Sequence, residues 1–172
     1  MSSTSTRPRD ATLGELTHAR TYRRVGLVAL AIVVLAGLLN LLGVRHDVVS
    51  AEAEGYRLAI EYARVTRPGL ASPWKVEVTR PGGFDGPITL AMSADYFDRF
   101  DFNQFYPEPT STTSRGDVVL WTFEGIEGDR LVVRFDGRAT PAFTLGLAAA
   151  STALEIDGRQ IVRVDYTTVV MP

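Results

Sequence analysis

The pattern of apolar and polar positions divides the chain into two parts. Residues 25–44, VGLVALAIVVLAGLLNLLGV, form an uncharged run in which Asn40 is the one polar side chain. At about 1.5 Å per residue, a helix of this length spans about 30 Å, the thickness of the hydrocarbon core of a bilayer. The run therefore predicts a transmembrane helix.

After Tyr56, apolar residues recur at every second position, which is typical of β-strands with one buried face. Turn signals built on Gly, Pro and Asp separate these stretches. We therefore predict a mainly β fold, an immunoglobulin-like antiparallel β-sandwich, over residues 56–172. The stretches predicted as strands are residues 57–65, 74–80, 87–94, 117–125, 130–137, 142–150 and 160–170.

Charge is distributed unevenly on the two sides of the uncharged run. Residues 1–24 carry five arginines against two acids, whereas residues 45–172 carry thirteen basic and eighteen acidic groups, a net charge of −5. Because positively charged segments stay on the cytoplasmic side, the N-terminus is expected inside the cell and the β domain outside. The predicted organisation is a cytoplasmic tail at 1–24, a transmembrane helix at 25–44, a short linker at 45–55 and an extracytoplasmic domain at 56–172.

A cleaved signal peptide is the alternative interpretation of the apolar run. Val49, Ser50 and Ala51 resemble a small-residue cleavage site. However, the run is longer than the apolar core of a typical signal peptide, and polar residues separate it from that site. A single-pass anchor in the cell membrane is therefore the favoured prediction.

Small residues form a stripe along the predicted transmembrane helix. Their spacing of three or four residues places them on one helical face together with the amide of Asn40. In lipid, helices associate through close approach at small residues and through hydrogen bonds between helices, so we expect a membrane-protein partner or self-association here. The alternative is that Asn40 reaches interfacial water and needs no partner. The residues of the stripe are Gly26, Ala29, Val33, Ala36, Asn40 and Gly43.

The segment DYFDRFDFNQFYPEP, residues 95–109, has six aromatic residues among its first twelve. If it begins with one or two helical turns, Phe97 and Phe100 share a face turned to the core while the aspartates face solvent. Core packing is the simplest role for so many rings. Exposed rings would instead form a contact surface for a protein or a sugar. The candidate contact residues are Tyr96, Phe97, Phe100, Phe102, Phe105 and Tyr106.

A calcium site is a second interpretation of the same segment. Asp95, Asp98, Asp101 and Asn103 could supply the oxygen ligands that calcium prefers. The segment nevertheless lacks the glycine and the final bidentate acid of an EF-hand loop. The sequence therefore favours calcium less than core packing.

Catalytic chemistry has little support in the sequence. Ser72 and Lys75 match the Ser-x-x-Lys spacing of some hydrolases, but there the motif begins a helix and here it leads into a strand. There is no cysteine, and His18 and His46 fall on opposite sides of the predicted membrane, so neither a thiolate site nor a shared histidine site can form. The acidic outer part argues against nucleic acid. We predict no enzymatic activity and no cofactor.

The sequence also contains the punctuation of a known type of module. PEPTS at 107–111, followed by SRGDVVLWTFEGIEGDRLVVRFDGRATPA at 114–142, resembles the second half of immunoglobulin-like modules of bacterial envelope proteins. There, a Pro-rich turn precedes a strand with a central Trp, here Trp121, and a Gly-Asp turn follows. Together with the predicted anchor, the chain is similar to uncharacterised single-pass envelope proteins of actinobacteria. The resemblance implies a fold and a location, and no catalytic residues.

The sequence therefore predicts a non-enzymatic, membrane-anchored extracytoplasmic protein. Its expected role is that of an accessory or scaffolding subunit that binds another envelope protein. The alternative is a membrane-held module that binds a sugar or calcium. A hydrolase is less compatible with the sequence, because a small sandwich leaves little chain to form a cleft.

Overall fold

The computed structural model describes residues 13–38, 44–141 and 145–172. The chain divides into two compact units, Met1–Gly43 and Val44–Pro172. The first unit contains helix α1, Leu13–Leu38. The elements of the second unit are β1 (Arg45–Ala53), β2 (Tyr56–Thr66), β3 (Trp74–Thr79), β4 (Ile88–Ser93), α2 (Ala94–Phe97), β5 (Phe100–Tyr106), β6 (Ser111–Arg115), β7 (Val118–Phe123), β8 (Arg130–Ala139), β9 (Gly146–Ile156) and β10 (Arg159–Val170).

The strands of the second unit form one curled sheet, which confirms the predicted mainly β fold. Their order is β5-β8-β3-β2-β10-β9-β4-β7-β6, and β1 pairs with β2 outside this path. Strand β2 changes its paired neighbour along its length: residues 57–61 pair with β3, and residues 65–66 pair with β10. The curl brings the inner faces together, so that Trp74 of β3 and Trp121 of β7 lie 6.3 Å apart between ring centroids.

The pair formed by β2 and β10 departs from the predicted antiparallel arrangement. Val169 lies opposite Val65 and Val170 opposite Thr66, and the two strands run parallel. A parallel pair needs a long connection between its strands, and here strands β3–β9 supply it. The alternation of apolar residues identifies a strand but not the direction of its neighbour, so the sequence pattern could not reveal this pairing.

Residues 45–55, predicted as a linker, form β1 and its turn into β2. Glu54 and Gly55 have φ angles of +52° and +78°, the left-handed geometry of a two-residue hairpin turn. Val49, Ala51 and Ala53 pack against the core at every second position of β1. The β domain therefore begins with β1 and not at Tyr56.

The core lies between the inner faces of the curled sheet. Its deepest residues alternate along the strands with exposed polar ones, as the period of two requires. Trp74 stacks on Phe135 of β8 with 4.7 Å between ring centroids. Burial of apolar surface at about 25 cal/mol per Å² is the main stabilising contribution. Large side chains with less than 2% exposure include Leu58, Ile60, Val76, Val78, Ile88, Leu90, Met92, Val133 and Leu154.

Candidate contact surfaces

The first half of the aromatic segment lies in the core. Tyr96, Phe97 and Phe100 are 2%, 5% and 6% exposed. The ring of Phe97 lies 5.2 Å from that of Trp74 and 5.6 Å from that of Trp121, between centroids. These three side chains are therefore unavailable to a partner at the surface, and core packing replaces the contact interpretation for them.

The second half of the segment is β5, which leads from the core to the surface. Phe105 is half-buried, and its ring lies 4.6 Å from that of Trp121. Tyr106, opposite Arg134 of β8, is 73% exposed. The side chain of Phe102 lies outside what the structure describes. Among the described candidate rings, Tyr106 is the one that presents itself to solvent.

The acids of the segment do not share one helical face. Helix α2 ends at Phe97, so Asp95 lies within its single turn, Asp98 follows the turn and Asp101 lies in β5; all three are exposed. Within the described residues, no group of three or more His, Cys, Asp and Glu side chains could hold a metal ion. The side chain of Asn103, the fourth candidate ligand, is outside the description.

Buried hydroxyl groups join the strands beneath these rings. Thr168 donates to the carbonyl oxygen of Ala63 at 2.7 Å, so it accepts from the hydroxyl of Tyr96 at 2.9 Å. Trp74 donates through Nε1 to the hydroxyl of Tyr166 at 3.3 Å. Burial raises the pKa of Tyr96, and it raises the pKa of Tyr166 to about 12. Burial therefore favours the neutral phenol at both residues, and their hydroxyls join α2, β3 and β10 through hydrogen bonds.

Ser72 and Lys75 have separate partners. The Ser72 hydroxyl is buried and lies 2.7 Å from Oγ1 of Thr66. The Nζ of Lys75 lies 3.3 Å from Oε2 of Glu61 and 3.8 Å from Oε2 of Glu77. Ser72 precedes β3 and its hydroxyl is buried against Thr66, whereas Lys75 pairs with two carboxylates on β2 and β3, so the match to Ser-x-x-Lys does not bring a base to the serine.

A shallow groove surrounds Lys75, the single lysine of the sequence, on the outer face of β1, β2 and β3. Arg130 donates to Oε2 of Glu77 at 2.8 Å, and this hydrogen bond lowers the pKa of Glu77. Lys75, Glu61 and Glu77 therefore place paired charges of both signs along the groove. Its volume is about 250 Å³, and it is lined by Val48, Arg57, Ala59, Glu61, Lys75, Glu77 and Thr79.

Helix α1 contains four of the six residues of the predicted stripe, Gly26, Ala29, Val33 and Ala36. A side chain at Gly26 would meet nothing within 4 Å, and Ala29 is exposed. The side chain of Ala36 is not described, and Asn40 and Gly43 lie outside the described residues, as do residues 39–43 of the predicted span. Within residues 13–38, 44–141 and 145–172, no helix combines the length and the apolar character needed to cross a membrane.

An ion pair with one buried partner joins β6 and β9, and the sequence pattern does not predict it. Glu155 of β9 has a side chain that is 7% exposed, and Arg115 of β6 donates to both of its oxygens at 3.2 and 2.5 Å. The pair ties the edge strand β6 to β9, with β7 and β4 between them in the sheet order. A charged residue at each of two distant positions gives no pairing signal in a single sequence.

No family model matches the chain, and no curated protein matches it. Solved structures that match the chain include the N-terminal domain of the Streptococcus gordonii adhesin Sgo0707, with a TM-score of 0.47 and 10% identity over 74% of this chain and 32% of that chain. The sixth cohesin of Acetivibrio cellulolyticus scaffoldin B, solved in complex with the Cel5 dockerin, gives a TM-score of 0.39 and 11% identity over 68% and 94%.

The Reelin-N domain of F-spondin also matches, with a TM-score of 0.39 and 16% identity over 80% of this chain and 99% of that chain. The chain spans about a third of the length of the adhesin structure. At these scores and identities, the likenesses assign neither a family nor a function.

Proposed function

We propose that this chain is a non-enzymatic envelope protein, held in the cell membrane by residues 25–44, whose β domain lies outside the cell. The domain would be an immunoglobulin-like module, and the chain would act as an accessory or scaffolding subunit that binds another membrane protein. The N-terminal tail, with its five arginines, would remain in the cytoplasm.

The observation that carries this proposal is the exposed apolar surface of α1. Exposed apolar surface on this scale marks contact with lipid or with another protein. The nine large aliphatic side chains concerned, which are 52–77% exposed, are Val25, Leu27, Val28, Leu30, Ile32, Val33, Val34, Leu35 and Leu38.

Partner binding is supported by the small residues on the same helix. Gly26 and Ala29 leave room for a second helix to approach closely, which is how helices associate in lipid. The β domain supplies a further surface in the groove around Lys75, with paired charges that suit a protein surface of mixed sign. Contact at the helix is the part of the proposal that a single substitution can test.

The test is purification of the full-length protein from its membranes in mild detergent, with identification of any stoichiometric partner. We expect the protein to resist extraction by salt and alkali, and to retain one membrane protein. Ala29→Leu should reduce the amount of that partner about tenfold, equivalent to 1.4 kcal/mol, because the larger side chain separates the helices.

Ala31→Leu is the matched control. At 100° per residue it lies 200° around the helix from Ala29, so the same added volume points away from the stripe. If both variants retain the partner equally, the stripe is not part of the interface. Release of the wild-type chain by alkali would overturn the anchor, and a lone monomer would overturn the role of an accessory subunit.

A further inference from the structure

Four strands meet in one register row at the end of the β domain where the chain enters it. Arg45, the first residue of β1, pairs with Val65 of β2. Val65 pairs with Val169 of β10, and Val169 pairs with Leu147 of β9. Neighbouring strands lie about 4.8 Å apart, so Leu147 is about 14 Å from Arg45 across the sheet.

Apart from Arg45, the residues of this row are apolar, and they face away from the core. Val65 and Val169 are partly exposed, and each precedes a buried residue, Thr66 and Val170 respectively, so the two valines point outward. Leu147 is 75% exposed. Single exposed apolar residues are ordinary, but a contiguous set marks a contact surface. The apolar row consists of Val65, Val169, Leu147 and the neighbouring Leu145, which is 56% exposed.

We infer that the apolar row rests in the interfacial region of the bilayer. This inference depends on the proposed anchor, because Arg45 follows Val44, the last residue of the predicted span, without a linker. If residues 25–44 cross the membrane, Arg45 lies at its surface, and the register row keeps Val65, Val169 and Leu147 within about 14 Å of Arg45. Because the β domain follows the proposed span directly, we assign a lipid surface as the contact partner of the apolar row.

Charge near the row fits lipid headgroups. Arg45 is exposed beside Val65, and the side chain of Arg64 is 65% exposed, with Asp47 3.5 Å from its guanidinium. Basic residues next to the hydrocarbon boundary bind phosphate groups while apolar side chains enter the interface. The row and these arginines together form a surface with two kinds of lipid contact.

The absence of cysteine permits single-cysteine probes in the full-length chain. A polarity-sensitive fluorophore is attached at Leu147→Cys, at Glu127→Cys and at Ala31→Cys. Glu127 precedes Arg130, which lies in register with Arg57 through Thr79. Arg57 is eight residues along β2 from Val65, about 27 Å, so the Glu127 probe reports on the far end of the domain.

Each labelled protein is reconstituted into vesicles of phosphatidylcholine and phosphatidylglycerol. Quenching is measured with acrylamide in the water and with brominated acyl chains in the bilayer. We expect the Leu147 probe to be quenched severalfold more by the brominated lipid than the Glu127 probe, and severalfold less by acrylamide. Leu147 is largely exposed, so the cysteine and its label should not disturb folding.

The Ala31 probe distinguishes failure of the proposed membrane anchor from failure of the proposed lipid contact of the apolar row. If it is reached by the brominated lipid alone while acrylamide reaches the Leu147 and Glu127 probes equally, the anchor stands and the contact of the row is overturned. If neither quencher reaches Leu147, a protein covers the row and the lipid assignment is overturned. If acrylamide quenches the Ala31 probe, the anchor fails and the inference fails with it.

Discussion

Thr168 shows how a single polar residue can hold the centre of an apolar core. Its hydroxyl is fully buried, donates to Ala63 of β2 and accepts from Tyr96 of α2. The residue itself lies on β10, so one side chain joins three elements. Loss of the hydroxyl would leave one buried donor and one buried acceptor without this partner, which costs more than the hydrogen bonds themselves contribute.

We therefore expect Thr168→Val to lower the free energy of unfolding by about 2 kcal/mol. The measurement is urea denaturation followed by tryptophan fluorescence, since both tryptophans belong to the β domain. Thr167→Val is the matched control; Thr167 is exposed, and its loss should change stability by no more than about 0.5 kcal/mol. Adding Tyr96→Phe to Thr168→Val should recover part of the loss, and equal effects at 167 and 168 would contradict this role.

Glu77 gives the stability of the domain a dependence on pH. The hydrogen bond from Arg130 is the main cause of its lowered pKa. A carboxyl whose pKa is lower in the folded state stabilises that state above its unfolded pKa, and loses this contribution as the pH falls through the folded pKa. We expect Glu77→Gln to cost about 0.5–1 kcal/mol at pH 7 and much less at pH 3.

Denaturation curves at the two pH values check this prediction. Glu124→Gln, which removes an exposed acid of the loop between β7 and β8, serves as the control and should have a smaller effect at pH 7. A cost for Glu77→Gln that stays constant from pH 7 to pH 3 would show that the carboxylate is not the source of the dependence.

The aromatic segment shows what could be predicted for individual residues. Phe97 and Phe100 are both buried, as predicted, but they do not share a helical face, because α2 ends at Phe97 and Phe100 begins β5. The exposure of Tyr106 could not be predicted from helical spacing, because α2 ends after one turn and the remainder of the segment pairs with β8. Once the period changes from 3.6 to two, the face of each later residue depends on a boundary that spacing alone does not locate.

At the scale of elements, the β1–β2 and β9–β10 hairpin turns differ in how clearly the sequence predicts them. Asp157 and Gly158, with φ of +50° and +74°, form a recognisable Asp-Gly turn. Glu54 adopts the same geometry, which glutamate rarely does, so the β1–β2 turn has no comparable signal in the sequence. Arg159 holds both carboxylate oxygens of Glu54 at 2.6 and 2.7 Å, a contact between the two turns that short-range sequence rules do not contain.

The same distinction applies to the arrangement of strands. Alternation of apolar residues located β2, β3 and β10, because each buries one face. It did not predict that β2 exchanges β3 for β10 as its neighbour, since a strand's pattern records which face is buried and not which edge is paired. The two-residue period of apolar positions therefore predicts where the strands lie along the chain, whereas packing across the core determines their order in the sheet.

At the scale of the whole molecule, the boundary of the β domain is set by β1. Its half-buried side chains cover the core at Val49, Ala51 and Ala53, and β1 pairs with β2 over the length of the hairpin. A chain that begins at Tyr56 would lose this cover and leave the edge of β2 open. Open edges of this kind promote association with other strands.

We accordingly expect residues 44–172 to fold as a monomer, and residues 56–172 to be less stable by several kcal/mol, since they lose both the apolar cover of the core and the strand pairing that β1 provides. Thermal denaturation and size-exclusion chromatography of the two fragments check the prediction. The shorter fragment should melt at lower temperature and elute partly as aggregate. Because both fragments lack α1, a difference in stability between them is due to β1 and its turn. Equal melting temperatures would show that the β domain begins at Tyr56 and that β1 does not contribute to its stability.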